Sequence, residues 1–432
     1  MITVCSGPSP EAVVTHLGPQ PGTVWLDGGS SAKGWSIVAI DPVDIITEGP
    51  DWCAAGRSAL RETSGPFEVP FIGGVMGYIG YGAGHRVAPV PENKPTVEPE
   101  AWLARFDGAM CYRHADATWH LTGPSPLRAR FEALLANTPR ELAPLGAAPP
   151  SPLPPQSVDP KTYQQAVRRI LEWIRAGDCY QVNLSRPVRV SLTTDDIGFS
   201  VYRRLRTFDA AYGAFIKLSE GLDIVCNSPE LLLAKTGRTV ASEPIKGTRP
   251  RGATPEADTT HRQALRESSK DQAELTMIVD LVRNDLGRVA ESGTVRTGER
   301  RIMELPTVFH TFRRVEATLR RGVDAFGALA AMFPPGSVTG APKIRACHRI
   351  AELEDAPRGV YCGSIGFASD HERASFNVAI RTGVVHRGIA RYHVGGGVVV
   401  SSDPAAEWAE TEAKGAAWAR ALGTHSSSSN SS

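Results

Sequence analysis

The sequence lacks the features that would place it in several common classes of protein. Positive and negative side chains almost cancel, with 47 lysines and arginines against 46 aspartates and glutamates, so no overall field favours nucleic acid. No run of about 18 apolar residues is present to cross a membrane. The first residues show no basic segment followed by an apolar core, so we expect no signal peptide. We therefore expect a cytoplasmic protein that binds neither nucleic acid nor membrane.

Cysteine is sparse and unpatterned. The seven cysteines include no Cys-x-x-Cys pair and no cluster with histidine, which are the arrangements that hold zinc or build a disulfide framework. An odd count without a pattern suits a reducing compartment. The glycines of 73–81 miss the G-x-G-x-x-G spacing, and the loop 336–343 misses the spacing of a phosphate-binding loop. Neither segment therefore indicates a bound nucleotide.

Proline divides the chain into regions. Seven prolines lie between residues 144 and 160 and should exclude helix and sheet, which predicts an extended connector over 146–160. Short strand-like runs with turns fill an N-terminal region, 1–145, whereas helix and strand patterns alternate over the region 161–424. The last residues, 425–432, are nearly all serine and are predicted to be disordered.

A long helix is predicted over 259–290, with Ile278 and Leu286 on its buried face. Glu274 falls on the same stripe, one turn before Ile278. A buried carboxylate needs a cation, a proton or a metal ion as its partner, so Glu274 is a candidate functional residue. Asp285 also lies on the stripe, where an ion pair with a neighbouring arginine explains it at least as well as a function does.

The segment 244–252 holds the most distinctive candidate. Lys246 stands between a proline and a glycine, and Arg249 and Arg251 follow it. A lysine amine is a strong nucleophile only when it is neutral, which burial or a nearby cation achieves. The two arginines are candidates for that cation. From this segment alone, a solvated turn with ordinary surface charges explains the residues equally well.

Polar residues near strand ends supply further candidates. Glu230 follows an apolar strand, where it is either a surface carboxylate or a general acid or base. His310 stands among apolar residues, which is more typical of a hydrogen-bonded core histidine than of a catalytic one. Arg381 ends a strand and would bind a carboxylate if it points inward. Three glycines, 395–397, weaken a strand and indicate that something approaches its backbone closely.

Two more patterns have a simple structural explanation. Gln181, Asn183 and Ser185 share one face of a predicted strand, and such a polar face is most often exposed to solvent. The last helix is predicted to begin at Asp403 and Pro404. Three charged residues then share one face of that helix, as an exposed ion-paired stripe would. They are Glu407, Glu410 and Lys414.

Together these motifs resemble those of the chorismate-utilising enzymes, in particular the large subunits of anthranilate synthase and aminodeoxychorismate synthase. The resemblance covers most of the chain and is dense from about residue 163 to residue 422, and looser through GGVMGYIGY (73–81). The motifs that carry it are GDCYQVNLS (177–185), SPE (228–230), PIKGTRPRG (244–252), AELTMIVDLVRNDLGRV (273–289), VFH (308–310), GSVTGAPK (336–343), YCGSIGF (361–367), IRT (380–382), GGGVV (395–399) and EWAETEAK (407–414).

The resemblance implies an α+β fold of the anthranilate synthase component I type, with large antiparallel sheets in a sandwich and helices outside. Two positions narrow the choice among the reactions of this family. Anthranilate-forming members typically carry alanine at the position of Lys246, whereas members that aminate C4 carry lysine. Gln181 stands where water-using members carry a lysine, so ammonia is the implied nucleophile. The implied product is 4-amino-4-deoxychorismate, on the route to 4-aminobenzoate and folate. Anthranilate with pyruvate is the alternative, and a non-catalytic relative is disfavoured by the retained motifs.

The same resemblance assigns catalytic roles and a partner. Lys246 would attack C2 of chorismate as the 4-hydroxyl group leaves, and ammonia would then add at C4 and expel the lysine. Glu230 would act first as acid and then as base, and His310 would lie near the substrate ring. No glutaminase nucleophile arrangement is visible in the chain. Ammonia is therefore expected from a separate glutamine amidotransferase subunit.

A metal ion and a set of substrate contacts are implied in the same way. Mg²⁺ would be held by Glu274 and Glu410, with Glu407 as a supporting carboxylate. Oxygen ligands suit this hard ion, and a substrate carboxylate can complete its shell. The implied substrate-binding residues are Gly247, Thr248, Tyr361, Arg381, Gly395, Gly396, Gly397 and Lys414.

Overall fold

A computed structural model describes residues 2–424, apart from 30–33, 48–50, 64, 66, 93, 194–197, 209 and 307. The serine-rich segment 425–432, predicted to be disordered, lies outside the described residues. The helices are α1 (Pro10–Leu17), α2 (Trp52–Ser58), α3 (Ser125–Asn137), α4 (Pro160–Arg175), α5 (Gly198–Leu205), α6 (Pro255–Glu267), α7 (Ser269–Gly287), α8 (Ala325–Met332), α9 (Lys343–Leu353) and α10 (Pro404–Ala421).

Strands are more numerous than helices. They are β1 (Thr3–Ser6), β2 (Val24–Asp27), β3 (Trp35–Ala39), β4 (Asp44–Ile46), β5 (Gly74–Ile79), β6 (Ala101–Phe106), β7 (Met110–Arg113), β8 (Thr118–Leu121), β9 (Gln156–Ser157), β10 (Gln181–Ser191), β11 (Tyr212–Ser219), β12 (Leu222–Ser228), β13 (Leu231–Thr236), β14 (Thr239–Glu243), β15 (Ile245–Pro250), β16 (Arg296–Glu304), β17 (Val308–Thr318), β18 (Gly340–Ala341), β19 (Ser364–Ser369), β20 (Arg373–Asn377), β21 (Thr382–His386) and β22 (Ile389–Val399).

The strands of the described chain form two large sheets in which every pairing is antiparallel. The first sheet has twelve strands in the order β1-β8-β7-β3-β2-β11-β12-β21-β22-β10-β18, with β9 added on β10. The second has ten strands in the order β15-β17-β14-β13-β20-β19-β5-β6-β4, with β16 added on β17. Strand β2 pairs with β11, and β5 pairs with β19. Each sheet therefore draws strands from both sides of the proline-rich segment. The division into regions 1–145 and 161–424 stays a prediction.

The proline-rich segment is more ordered at its end than the sequence predicts. The expectation that it excludes sheet is wrong for β9, in which Gln156 and Ser157 pair with Arg189 and Val188. Neither β9 residue is a proline, so their backbone groups are free to pair. Pro160 is the first residue of α4, a position where the missing proline N–H costs no helical hydrogen bond.

The single helix predicted over 259–290 is two helices, and this part of the prediction is wrong. α6 ends at Glu267 and α7 begins at Ser269. Ser268 separates them, with a side chain that accepts a hydrogen bond from the Asp271 backbone N–H at 3.2 Å. A serine cap satisfies an N–H group that has no partner within the helix, so the chain can begin a second helix there.

Apolar layers hold the two sheets and the helices together. Side chains such as Tyr78 and Trp102 of the second sheet share one core with Ile37 and Ile224 of the first. The other face of the second sheet packs against α7 and α8, and the other face of the first packs against α1, α3, α5 and α10. The predicted α+β sandwich of large antiparallel sheets with outer helices is confirmed. Of the helices described, none is both long and apolar enough to cross a lipid bilayer.

Candidate active site

Lys246 owes its orientation to a β-bulge at the next residue. Where β15 pairs with β17, Lys246 lies opposite Thr311 and Thr248 lies opposite His310, so Gly247 is an extra residue. Gly247 has a φ of 77°, a conformation that glycine adopts without strain. A bulge bends its strand and redirects the adjacent side chains. The glycine after the lysine therefore has a local structural reason that the sequence motif alone does not reveal.

Lys246 is a half-buried residue whose amine lies at the edge of the glycine-rich strand β22. Its Nζ donates a hydrogen bond to the backbone oxygen of Ser337 at 3.3 Å. A Cβ placed on Gly397 would lie 3.6 Å from the same Nζ. Burial, and then the positive charge of Lys414, lower the pKa of Lys246. Both effects favour the neutral, nucleophilic amine.

The two arginines that follow the lysine are not its neighbouring cations. Arg249 pairs with Asp271 at 2.9 Å, and Arg251 pairs with Asp258 at 2.7 Å. The proposal that these arginines activate the lysine is therefore wrong. The nearby cation is Lys414, from a helix more than 150 residues further along the chain. Only the tertiary packing of α10 brings it near.

Glu230 lies in the turn after β12 and is 4% exposed. Its backbone N–H donates to the hydroxyl of Ser228 at 3.2 Å, and its carbonyl oxygen accepts from the N–H of Val378 at 2.9 Å. Burial raises the pKa of its carboxyl group to about 6, against the opposing effects of a hydrogen bond from Ser337 and the charge of Lys246. A carboxyl group with a pKa near neutrality suits a general acid or base.

His310 is buried on β17 beside Arg381. Its Nδ1 lies 2.8 Å from the hydroxyl of Thr248, and its Nε2 lies 3.5 Å from Nη2 of Arg381. Burial, and then the charge of Arg381, lower the pKa of His310 to about 3. The ring is therefore neutral at physiological pH. Arg381 is half-buried and has a φ of 51°, a strained conformation of the kind that is concentrated at functional sites.

The glycines of β22 separate two groups of charged side chains. A Cβ on Gly396 would lie 3.1 Å from Oε2 of Glu407 and 3.5 Å from Oε1 of Glu410. Its neighbour Gly397 faces Lys246 instead, because successive residues of a strand point to opposite sides. Gly395 contributes its carbonyl oxygen. It accepts a hydrogen bond from Lys414 Nζ at 3.0 Å.

The three candidate metal ligands differ in their surroundings. Glu407 is buried; its Oε1 accepts from Ser402 at 2.6 Å, and its Oε2 has no hydrogen-bond partner among the described residues. Burial raises the pKa of Glu407. Burial acts the same way on Glu410, but the ammonium of Lys414, 2.6 Å away, lowers the pKa of Glu410 overall. Burial raises the pKa of Glu274, and the negative charge of Glu410 adds to the effect.

These carboxylates fit Mg²⁺ in one particular way. Among the described residues, no three acidic, histidine or cysteine side chains converge closely enough to hold a metal ion by themselves. Mg²⁺ usually binds through one or two carboxylates and completes its shell with waters and substrate oxygens. Glu407 has an oxygen without a hydrogen-bond partner among the described residues, and Glu410 of the exposed Glu410–Lys414 pair lies beside it. These two carboxylates are the number that Mg²⁺ usually binds in proteins. An exposed ion pair contributes at most about 1 kcal/mol, so Glu410 can exchange partners easily.

Tyr361 packs against a histidine of β22. Its ring stacks on His393 with centroids 5.3 Å apart and planes 15° from parallel. No hydrogen bond or ring contact joins it to Lys246 in the described part of the chain. Thr248 is exposed and reaches the site only through its contact with His310. Of the predicted substrate-binding residues, these two are the least directly connected to the lysine.

Sequence reasoning assigned no site role to Ser337 and gave Gln181 one only through the family resemblance, and both residues lie beside the lysine. Gln181 is fully buried, neither atom of its side-chain amide has a partner among the described residues, and its Nε2 would lie 3.0 Å from a Cβ on Gly397. The expectation that Gln181, Asn183 and Ser185 form an exposed face is wrong, because their exposed fractions are 0%, 6% and 6%. Periodicity identifies a shared face but does not show what packs on it.

Comparison with known proteins shows the family to which the chain belongs. A family model described as chorismate binding enzyme matches residues 32–420. The chain belongs to this family. The chorismate-binding enzyme is 38% identical over 407 residues to anthranilate synthase component 1 of Streptomyces coelicolor, covering 87% of this chain and 78% of the relative. It is 37% identical over 381 residues to aminodeoxychorismate synthase component 1 of Klebsiella aerogenes, covering 87% of this chain and 82% of that relative.

Solved structures give the same fold. Anthranilate synthase component I from Streptococcus pneumoniae matches with a TM-score of 0.76 and 28% identity, over 89% of this chain and 92% of that one. The isochorismate synthase MenF from Escherichia coli matches with a TM-score of 0.76 at 16% identity, over 98% of this chain and 94% of that one. The predicted component I type of fold is therefore confirmed for this chorismate-binding enzyme. Its relatives carry two different product names at nearly equal identity, so the product has to be argued from the site.

Proposed function

We propose that this chorismate-binding enzyme aminates chorismate at C4 and releases 4-amino-4-deoxychorismate. The observation that carries the proposal is the amine of Lys246. Lys246 is half-buried, the pKa of its amine is lowered, and that amine faces Gln181 across Gly397. In the resemblance described above, the lysine distinguishes C4 amination from anthranilate formation, and the glutamine distinguishes ammonia from water as the nucleophile.

In the proposed reaction the lysine divides one difficult displacement into two steps. The neutral amine of Lys246 forms a bond to C2, the two conjugated double bonds of the ring each shift by one position towards C4, and the C4–O bond breaks. Glu230 donates a proton, and the hydroxyl group leaves as water. Ammonia then bonds to C4, the two double bonds shift back, and the lysine nitrogen leaves C2. Glu230 accepts a proton in this second step, so chorismate and ammonia yield the amine and water.

The remaining charged groups would bind the substrate carboxylates. Arg381 carries a planar guanidinium that suits a carboxylate, and the neutral His310 beside it can exchange a hydrogen bond with a substrate without adding charge. Mg²⁺, held by Glu274 and Glu410 with Glu407 beside them, would neutralise a carboxylate of the substrate. Gly396 faces Glu407 and Glu410, and Gly397 faces the lysine amine, so the strand carries no side chain that would fill the space beside either group.

We also propose that ammonia is supplied by a glutamine amidotransferase subunit and that the product leads to 4-aminobenzoate and folate. The relatives named above are both called component 1, which is consistent with a second component. Aminodeoxychorismate synthase is the name of one group of these relatives.

Product identification tests the proposal. The purified chain is supplied with chorismate, Mg²⁺ and ammonium salt at alkaline pH, with and without a lyase that converts 4-amino-4-deoxychorismate to 4-aminobenzoate. We expect 4-aminobenzoate only when the lyase is present. The alternative function, favoured by the relatives named anthranilate synthase component 1, predicts anthranilate and pyruvate without a lyase.

The Lys246→Ala variant tests the role of the amine. We expect it to lose C4 amination while its far-ultraviolet circular dichroism stays that of the parent, because the glycine bulge and the strand pairing do not need the side chain. Lys161→Ala, at an exposed position in the first turn of α4, is the matched control and should retain the parental rate. An unchanged product and rate in Lys246→Ala would refute the nucleophile role.

A further inference from the structure

One residue contacts both groups that the proposed reaction uses. Ser337 accepts a hydrogen bond from Lys246 Nζ through its backbone oxygen, at 3.3 Å. Its hydroxyl group also lies close enough to the carboxylate of Glu230 to lower the pKa of that group. Ser337 is 7% exposed, so neither contact competes with bulk water. The amine and the carboxylate come from β15 and from the turn after β12, and Ser337 joins them from a third segment.

The turn that carries Ser337 is held on several sides. A Cβ on Gly336 would lie 2.1 Å from Cδ2 of Leu281 in α7, so the backbone of the turn packs directly on that helix. The carbonyl oxygen of Val338 accepts a hydrogen bond from Arg358 at 2.9 Å. Arg358 is in turn paired with Glu354 at 2.7 Å, with both side chains buried. Contacts of this kind fix the position of the turn independently of the lysine and of any ligand.

We propose that Ser337 is a positioning residue that sets the spacing and orientation of the Lys246 amine and the Glu230 carboxyl group. Its carbonyl oxygen directs the amine, and its hydroxyl group donates to the carboxylate. The roles of nucleophile and acid rest on the function proposed above, whereas the two contacts of Ser337 do not. The two groups must reach opposite ends of one conjugated system, and misplacement by about 1 Å can cost on the order of 100-fold in rate.

The hydroxyl contact has a consequence that can be measured on the carboxyl group itself. A donor to a carboxylate favours its charged form, so Ser337 opposes the burial that raises the pKa of Glu230. Other charged or titratable groups that face Glu230 are Lys246, Lys414 and Cys362. The substitution Ser337→Ala removes the hydroxyl group but keeps the backbone oxygen. It therefore separates the contact to the carboxylate from the contact to the amine.

The matched control is a hydroxyl group in the same turn that points elsewhere. The Thr339 hydroxyl donates to the backbone oxygen of Pro335 at 3.0 Å, and Thr339 is fully buried. Thr339→Val removes this hydroxyl at almost constant volume. A purely structural effect of losing a buried hydroxyl group from the turn should follow either substitution. A change in the titration of Glu230 should follow only Ser337→Ala.

The experiment is a direct titration of Glu230 in protein labelled with ¹³C at the glutamate side-chain carboxyl. The signal is assigned by its loss in Glu230→Gln. A hydrogen bond to a charged group corresponds to roughly one to two pKa units, so we expect the titration of Glu230 to move upward by about that amount in Ser337→Ala. Thr339→Val should leave it unchanged, and Ser337→Thr, which keeps a hydroxyl group, should restore it.

Activity supplies the second readout. In Ser337→Ala we expect kcat to fall by roughly tenfold or more, its dependence on pH to follow the displaced titration, and KM for chorismate to change little. An unmoved Glu230 titration in Ser337→Ala, or an equal displacement in Thr339→Val, would overturn the proposal. If Ser337→Ala does not fold, Ser337→Cys, whose thiol is a weaker donor, should give an intermediate displacement. Because the titration needs no turnover, it decides the role of Ser337 even if the assigned product is wrong.

Discussion

The burial of Glu230 predicts that its negative charge makes the folded protein less stable. Burial raises the pKa of this carboxyl group from 4.5 to about 6, and one pKa unit corresponds to about 1.4 kcal/mol. The folded state therefore binds the proton more tightly than the unfolded state does. Stability falls as pH rises from 4.5 through 6, and the loss amounts to about 2 kcal/mol above that range. Below pH 4.5 both states are protonated and the loss disappears.

The substitution Glu230→Gln isolates this effect, because glutamine does not ionise. Its own fit in the site adds a constant that does not depend on pH. The free energy of unfolding of Glu230→Gln relative to the parent should therefore become about 2 kcal/mol more favourable between pH 4 and pH 7.5. Urea unfolding at the two pH values measures this difference. Contributions from all other titrating groups cancel in the comparison, provided that they are the same in both proteins.

An exposed glutamate provides the control. Glu299 lies on β16 and is exposed, and Glu299→Gln should alter stability by no more than about 0.5 kcal/mol at either pH. We also expect Glu230→Gln to lose most of its activity at every pH, since glutamine cannot donate the proton of a carboxylic acid. A variant that is more stable at neutral pH and yet inactive would show that the site sacrifices stability for chemistry. A relative stability that does not change with pH would refute the reasoning.

Three further substitutions have defined outcomes. Gly397→Ala places a methyl group 3.0 Å from the Gln181 amide and 3.6 Å from the lysine amine. Steady-state kinetics should therefore show kcat/KM for chorismate at least roughly tenfold lower. The control is Gly298→Ala on β16, where the nearest atom is 3.4 Å away, and it should leave kcat/KM unchanged. Asp370→Asn breaks a buried two-bond pair with an arginine, at 2.7 and 2.8 Å, and should lower the free energy of unfolding by about 3–5 kcal/mol. Glu274→Gln should weaken Mg²⁺ binding, measured by calorimetry without turnover, and unchanged binding would remove it from the ligand set.

Local chemistry in the sequence was enough to predict several elements. Asp403 followed by proline caps the start of α10 as expected, and its carboxylate accepts hydrogen bonds from two backbone N–H groups. The strand that carries the glycines 395–397 also follows the predicted pattern, whereas the architecture of large sheets was implied by the family resemblance. Caps, turns and strand alternation depend on residues close together in the chain, so a single sequence is sufficient to recognise them.

Other features depend on segments that are far apart in the chain. The cation near Lys246 is Lys414, not the adjacent Arg249. Ser268 divides a helix whose apolar pattern continues across it, because a local cap outweighs the periodicity. Gln181 belongs to a face that reads as exposed and is fully buried in the sandwich. For Lys246 and Gln181 the deciding quantity is which distant surface packs on the residue.

By itself, the sequence determined the family motifs, the lysine on which the proposed reaction depends and the capped start of the last helix. Only the tertiary structure decided that the lysine is close to a second cation, that its amine donates to the backbone oxygen of Ser337, and that Gly396 faces the acidic residues of α10 while Gly397 faces the lysine. Charge proximity and burial arise from non-local packing. Their effects on pKa and reactivity therefore cannot be read from spacing along the chain.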